Sequence, residues 1–172
     1  MPKFSLERIV DAKREFVFEI FSDFENYSKL FPQHFPSIRV RSVRNNVSVV
    51  EEYLNLGDKE FLIMVKHVSD APISHDVFVI GGDAKGSIFK EKFLELEHGT
   101  KIMVEVDLRI KGKSKISSLF VKNTYEQDYG KILDDFVNKV HPRHIIIKAF
   151  WKKRGGIGVN VTVEWKKETE KD

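Results

Sequence analysis

The chain changes its hydrophobic rhythm three times, and each change predicts a different element. Phe4 to Val10 alternates in part and reads as a short strand. From Ala12, after Asp11 as a helix N-cap residue, Phe16, Val17, Ile20, Phe21 and Phe24 follow helical spacing. Phe24, Tyr27, Leu30 and Phe31 continue it as far as Pro32, which predicts two short helices or one broken one.

Between Ile38 and Ile110 the period becomes two. Asn45-Asn46, Gly57-Asp58, Gly81 to Gly86 and His98-Gly99 punctuate runs at Ile38–Arg44, Val47–Leu54, Glu60–His67, Ser74–Ile80, Ser87–Leu96 and Lys101–Ile110, with a looser turn at Pro72. Connections this short exclude crossover helices, so the six strands form an antiparallel meander and the sheet has seven strands in all. Ile116 to Val140 restores the 3.6-residue period along Leu119, Phe120, Tyr129, Ile132, Leu133, Phe136, Val137 and Val140, and Pro142 stops it. Such a helix crosses the whole sheet, and its less apolar start, Lys115 to Gln127, is placed to act as a lid. Beyond it, Ile145–Lys152 and Ile157–Trp165 flank Lys153-Arg154-Gly155-Gly156 and predict an added β-hairpin. The expected organisation is an α+β domain over 1–142 and a basic extension over 143–172, packed on the domain or on a partner.

Hairpin register identifies the inner wall. A two-residue His98-Gly99 turn pairs Lys92 with Glu105, Lys90 with Asp107, Phe93 with Val104, Glu91 with Val106 and Phe89 with Leu108. A Gly57-Asp58 turn pairs Leu54 with Phe61, Glu52 with Ile63, Val50 with Val65 and Ser48 with His67. The Asn45-Asn46 turn sets Arg39 opposite Glu52, unless a bulge turns Ile38 and Val40 inward. Glu52, His67 and Glu91 thus lie on an apolar wall, where an unpaired carboxylate costs several kcal/mol. Either they anchor a ligand or they satisfy one another and neighbouring groups. The phenylalanines Phe61, Phe89 and Phe93 either line a pocket or fill it.

Composition narrows the function. The chain has 172 residues, 14 Phe and no Cys, so no disulfide or thiolate metal site holds it, and a cytoplasmic location is expected. Met1 to Val10 lacks the apolar core of a signal peptide. Of 29 Lys+Arg and 26 Asp+Glu, residues 141–172 hold 8 and 4, leaving 21 and 22 in residues 1–140, so the basic excess sits in the tail. That tail is a surface for phosphates or simply a solvated edge. No phosphate loop, zinc-protease helix or nucleophile elbow occurs. His141 and His144 have no carboxylate ligand near them in sequence, so neither metal nor cofactor is expected.

The order strand, two short helices, meander and long C-terminal helix resembles the START-like, helix-grip superfamily (SRPBCC, Bet v 1-like) over Phe4 to about Val140. Tyr27-Ser28-Lys29-Leu30-Phe31-Pro32, Arg39-Val40 and Glu52-Tyr53-Leu54 are similar to segments of polyketide cyclase/dehydrase and coenzyme Q-binding proteins. Gly81-Gly82-Asp83 stands where those proteins often carry Gly-Pro-Phe. The resemblance implies a deep cavity for a hydrophobic small molecule or lipid, quinone- or polyketide-like.

Three functions are open. A carrier or chaperone would use the wall of Leu54, Phe61, Ile63, Val65, His67, Phe89, Glu91, Phe93, Val104, Val106 and Leu108, with Tyr129 from the helix. A cyclase/dehydratase-like enzyme would use Glu91 or Glu52 as base, with His67 or a tyrosine steadying an enolate. An interaction module for RNA, the ribosome or a protein would use Trp151, Lys152, Lys153 and Arg154. A homodimer through the C-terminal hairpin is a further expectation.

Overall fold

The computed structural model describes residues 3–110, 118–140, 144–152 and 158–166, with side chains described for 3–110 and 123–140. The elements run β1 (Lys3–Val10), α1 (Arg14–Ser22), a 3-10 turn (Phe24–Asn26), α2 (Tyr27–Leu30), β2 (Ser37–Arg44), β3 (Val47–Leu56), β4 (Lys59–Asp70), β5 (Ser74–Gly82), β6 (Ile88–Glu95), β7 (Thr100–Asp107), α3 (Ser118–Val140), β8 (His144–Lys152) and β9 (Gly158–Lys166).

Seven strands form one antiparallel sheet in the order β1-β7-β6-β5-β4-β3-β2, with β1 closing against β7 rather than against its sequence neighbour β2. The meander follows from its turns. Asn45 takes φ 52° and Gly57 φ 62°, the positive values that two-residue hairpin turns require. At Gly99, φ is 93° and a Cβ would lie 2.1 Å from the Val10 carbonyl oxygen, so glycine lets the β6–β7 turn touch the end of β1.

The core lies between the sheet and the helices. Along α3, Tyr125, Ile132, Leu133, Phe136 and Val140 are buried at helical spacing, with Tyr129 and Val137 half-buried beside them. Phe136 is the hub: its ring stacks on Phe31 at 4.0 Å and meets Phe21 at 4.8 Å and Tyr27 at 5.1 Å. Two contacts tie α3 down from two sides, the Arg8–Asp134 ion pair at 2.6 Å from β1 and the His34–Asp135 hydrogen bond at 2.7 Å from the segment after α2.

Several expectations need correction. The helix α1 begins at Arg14 with Lys13 in the cap position, later than an Asp11 cap implies. Phe16 is exposed and Phe18 takes its place in the core, because the helix starts later and its inward stripe is Val17, Phe18 and Phe21. The β6–β7 loop spans four residues, Leu96 to Gly99, so that Glu95 pairs with Thr100, Lys90 with Glu105, Glu91 with Val104 and Phe89 with Val106. This is a slip of two residues from the expected pairing, which keeps every side chain on its face. Asp107 consequently meets Lys3 of β1 at 3.1 Å instead of Lys90.

The chain divides into two compact units, Met1–Val140 and His141–Asp172. In the second, β8 and β9 pair antiparallel from His144↔Lys166 to Lys152↔Gly158. Lys153-Arg154-Gly155-Gly156, His141, the side chains of Trp151 and Lys152, and residues 115–117 at the start of the expected lid lie outside the described residues.

Candidate functional site

The wall predicted from β3 and β4 stands as read: Leu54↔Phe61, Glu52↔Ile63, Val50↔Val65 and Ser48↔His67. On the β2 side a bulge between Val40 and Ser42 sets Ile38, not Arg39, against Glu52. Arg39 is exposed, Ile38 packs partly on the core and Val40 remains 36% exposed. The expected Arg39–Glu52 ion pair therefore does not form, and Glu52 finds another partner.

That partner is His67. Glu52 is 3% exposed, and its Oε1 lies 2.9 Å from His67 Nε2. His67 Nδ1 lies 2.9 Å from His75 Nε2, and His75 Nδ1 lies 2.9 Å from Glu91 Oε2. Tyr129 on α3 completes the line by donating its hydroxyl to Glu91 Oε1 over a long 3.4 Å. One row of polar side chains thus crosses β3, β4, β5 and β6 in order. His67 and His75 are 1% and 0% exposed, their rings lie within 6° of parallel, and Phe24 stacks on His67 at 4.5 Å.

The three 2.9 Å contacts dictate a proton count. Every hydrogen bond holds one proton, whichever tautomers the rings adopt. Two carboxylates and two neutral imidazoles bring two N–H groups, so the third contact needs one more proton than they supply. With only two protons, two lone pairs would face each other at one contact. A row of this kind is stable only if fully satisfied, since a buried polar group without its partner is costly.

Above the row, between sheet and α3, is a cavity of about 50 Å³ lined by Phe21, Tyr27, Phe35, Glu52, Leu54, Ile63, His67, Val77, Phe89, Glu91, Tyr129, Ile132, Leu133 and Phe136. Of the residues expected to bind a ligand, it brings together Leu54, Ile63, His67, Phe89, Glu91 and Tyr129. Phe61, Val65, Phe93, Val104, Val106 and Leu108 are buried in the surrounding core without lining it. The cavity is not deep. A water needs about 10–15 Å³ and a void that takes up benzene about 150 Å³, so this one holds a few solvent-sized groups. The phenylalanines answer the earlier question in both senses: Phe61 and Phe93, the latter edge to face on Phe21 at 5.3 Å, fill space behind the lining, whereas Phe89 stacks on Tyr129 at 5.4 Å and lines the cavity.

Burial, and then the charges of Glu91 and Glu52, push the Tyr27 hydroxyl well above its usual range; for Tyr129, burial leads and the charge and hydrogen bond of Glu91 follow. Tyr27 donates to the Phe21 carbonyl. Both tyrosines are therefore held as protonated donors, Tyr129 toward Glu91 and Tyr27 toward the backbone.

Sequence reasoning missed His75, Tyr27 and the aromatic neighbours Phe21, Phe35 and Phe136. For His75 the signal was present: the alternation that turns Val77 and Val79 inward on β5 turns His75 inward too. Among the described residues no group of three or more His, Cys, Asp or Glu is arranged to hold a metal ion.

The architecture is the helix-grip α+β fold, shared with solved structures of START-like proteins. A START superfamily protein from Mycobacterium smegmatis matches with TM-score 0.70 at 16% identity, covering 81% of this chain and 97% of its own. The Zhui aromatase/cyclase from Streptomyces sp. R1128 matches with TM-score 0.67 at 12% identity, covering 82% and 94%. At these identities the likeness is one of fold. The C-terminal part has a different affinity. Residues 118–170 match the QueF-like protein family. An NADPH-dependent 7-cyano-7-deazaguanine reductase from Rhodopirellula baltica is 31% identical over 78 residues, 42% of this chain and 64% of that protein. The same-named protein of Chlorobaculum tepidum is 44% identical over 46 residues, 27% and 39%. The chain thus spans less than two thirds of the curated relatives it matches. The C-terminal hairpin of β8 and β9 falls within this second similarity. No helix among the described residues is long and apolar enough to cross a membrane.

Proposed function

We propose that residues 1–142 hold a small, flat, largely apolar molecule between the sheet and α3, with a polar group turned toward Glu91 and Tyr129, as a carrier or chaperone holds its cargo. The observation that carries this reading is the meeting of an aromatic lining with a hydrogen-bonded polar row in one cavity. The small volume limits the cargo to a molecule of a few heavy atoms, or requires the Phe89–Tyr129 stack to part for a larger quinone- or polyketide-like one. Native mass spectrometry of detergent-free protein, followed by organic extraction, tests it. A stoichiometric small molecule that leaves on extraction supports the reading, and a uniformly empty protein contradicts it.

A second reading concerns the other end of the chain. The match over residues 118–170 favours a role for α3 and the basic 143–172 hairpin in handling a deazaguanine-like base, alone or as a homodimer paired through the hairpin. NADPH oxidation in the presence of 7-cyano-7-deazaguanine measures the full activity of the relatives. Saturation-transfer NMR with the same compound measures binding alone.

A further inference from the structure

Glu52 and Glu91 line the same cavity, each with one oxygen that the row leaves short of a donor. Their side chains are only 4% and 9% exposed. His67 fixes Glu52 Oε1 and His75 fixes Glu91 Oε2, both at 2.9 Å. Among the described residues Glu52 Oε2 has no hydrogen-bond partner, and Glu91 Oε1 receives only the 3.4 Å bond from Tyr129.

The donors at this wall are already engaged. Tyr27 donates to the Phe21 carbonyl and Tyr129 to Glu91, while both ring nitrogens of His67 are taken up by Glu52 and His75. Among the described residues no lysine or arginine lines the cavity. The wall therefore presents open acceptors without free donors, and whatever enters must bring the hydrogens itself. A carbonyl group brings none. It would meet only oxygens, unless Tyr129 turned toward it and left Glu91 Oε1 with no donor at all, and a buried polar group without its partner is costly.

The rest of the lining suits a charged donor better than a neutral one. The rings of Phe21, Phe35, Phe89 and Phe136 join the two tyrosines around the space, and the negative face of an aromatic ring attracts a cation. The glutamates act across the same space: after burial, the charges of Glu91 and Glu52 push both tyrosine hydroxyls upward. We infer that the cavity selects a small primary ammonium, an R–NH3+ group on a short apolar stem, which donates to an open carboxylate oxygen of the wall, Glu52 Oε2 or Glu91 Oε1, and lays its stem against the aromatic rings. This rests on the ligand-binding reading above and names the chemistry of the cargo's polar group. A hydrogen bond from an ammonium to a carboxylate is charge-assisted and about twice as strong as a neutral one. The volume of about 50 Å³ keeps the stem short. Quinones and polyketides, whose polar groups are mainly carbonyl acceptors, are disfavoured by the same inventory of donors and acceptors.

The test uses the full chain at neutral pH with ethylammonium chloride, ethanol and acetone, probes of similar size that are a charged donor, a neutral donor and an acceptor. Saturation-transfer NMR ranks their affinities, and NOEs from the probe's methyl group to the lining aromatic rings locate it. Ethylammonium should bind at least tenfold more tightly than ethanol, with acetone weakest. Glu52→Gln or Glu91→Gln, which keeps the shape of the side chain and removes its charge, should weaken ethylammonium at least tenfold at the carboxylate that holds it and change acetone little. The ranking with the unaltered protein carries the test if neither variant folds. Ethanol or acetone bound as tightly as ethylammonium overturns the ammonium preference and leaves the ligand-binding reading standing, as does an ethylammonium affinity that survives both substitutions. Binding without NOEs to the lining rings marks an adventitious surface carboxylate and overturns the ammonium site. If no probe binds, the ammonium site falls together with a cargo of this size.

Discussion

His67 and His75 face each other ring to ring, with Nδ1 of one 2.9 Å from Nε2 of the other, and each hands its remaining nitrogen to a buried glutamate. Neither histidine has a solvent-facing nitrogen to fall back on, so each depends on the other and on its carboxylate. Replacing His75 by Leu leaves His67 and Glu91 each short of a partner in the core. Breaking a buried charged network from one side costs about 3–5 kcal/mol. Urea unfolding should show a loss in that range for His75→Leu. The double variant His67→Leu/His75→Leu should cost clearly less than the two single losses added.

The tyrosines give a second prediction. Burial first, and then the negative charges of Glu91 and Glu52, raise the hydroxyls of Tyr27 and Tyr129 well above 10. A group whose folded pKa is raised contributes stability below its unfolded value of about 10, and that contribution is lost as pH rises through the folded value. Ultraviolet titration should find Tyr27 and Tyr129 still protonated above pH 10, ionising only together with unfolding. Tyr27→Phe should remove one of them.

Asp135 behaves in the opposite sense. Burial pushes its carboxyl up, but the hydrogen bonds from His34 and Gln33 and the charges of His34 and Lys139 outweigh this and hold it below the usual value. Its stabilising contribution is therefore present above the unfolded value of about 3.9 and disappears as pH falls through the folded one. Asp135→Asn should lower stability at neutral pH and make the acid limb of the stability curve shallower. Equal losses at about pH 7 and below the folded value would refute that linkage.

Phe136 carries the third side of the site. Its ring touches Phe21, Tyr27 and Phe31 and also borders the cavity. Truncation to Ala should cost about 3–5 kcal/mol. If the protein still folds, the enlarged void should take up benzene, read as a rise in melting temperature on adding it.

How much of this was legible beforehand depended on the turns. Gly57-Asp58 is a two-residue turn, so counting from it put Glu52 and His67 on the inner wall at their observed register. His98-Gly99 closes a four-residue loop, and counting from it placed Glu91 on the right face but beside the wrong neighbour. The β2–β3 bulge, which released Arg39 to solvent, was open as the alternative to an Arg39–Glu52 pair, and a run as polar as Arg39 to Asn46 does not decide between the two. Pairing of His75 with Glu91 depends on β5–β6, whose strands are separated by the Asp83–Ser87 loop and follow a bulge in β4–β5. No count from a tight turn reaches it. Cavity size was also beyond reach, because it depends on how Phe21, Phe31 and Phe136 tilt, not on their number.

Proton NMR of the two histidines is the measurement to make first. Three exchange-protected, strongly downfield protons should appear, one for each contact of the row. Glu52→Gln should shift all three, including the proton between His75 and Glu91 at the far end, because the contacts share one proton count. Histidine signals that exchange freely with solvent, or a far-end proton untouched by Glu52→Gln, would mean that the four groups are separate pairs and not one row.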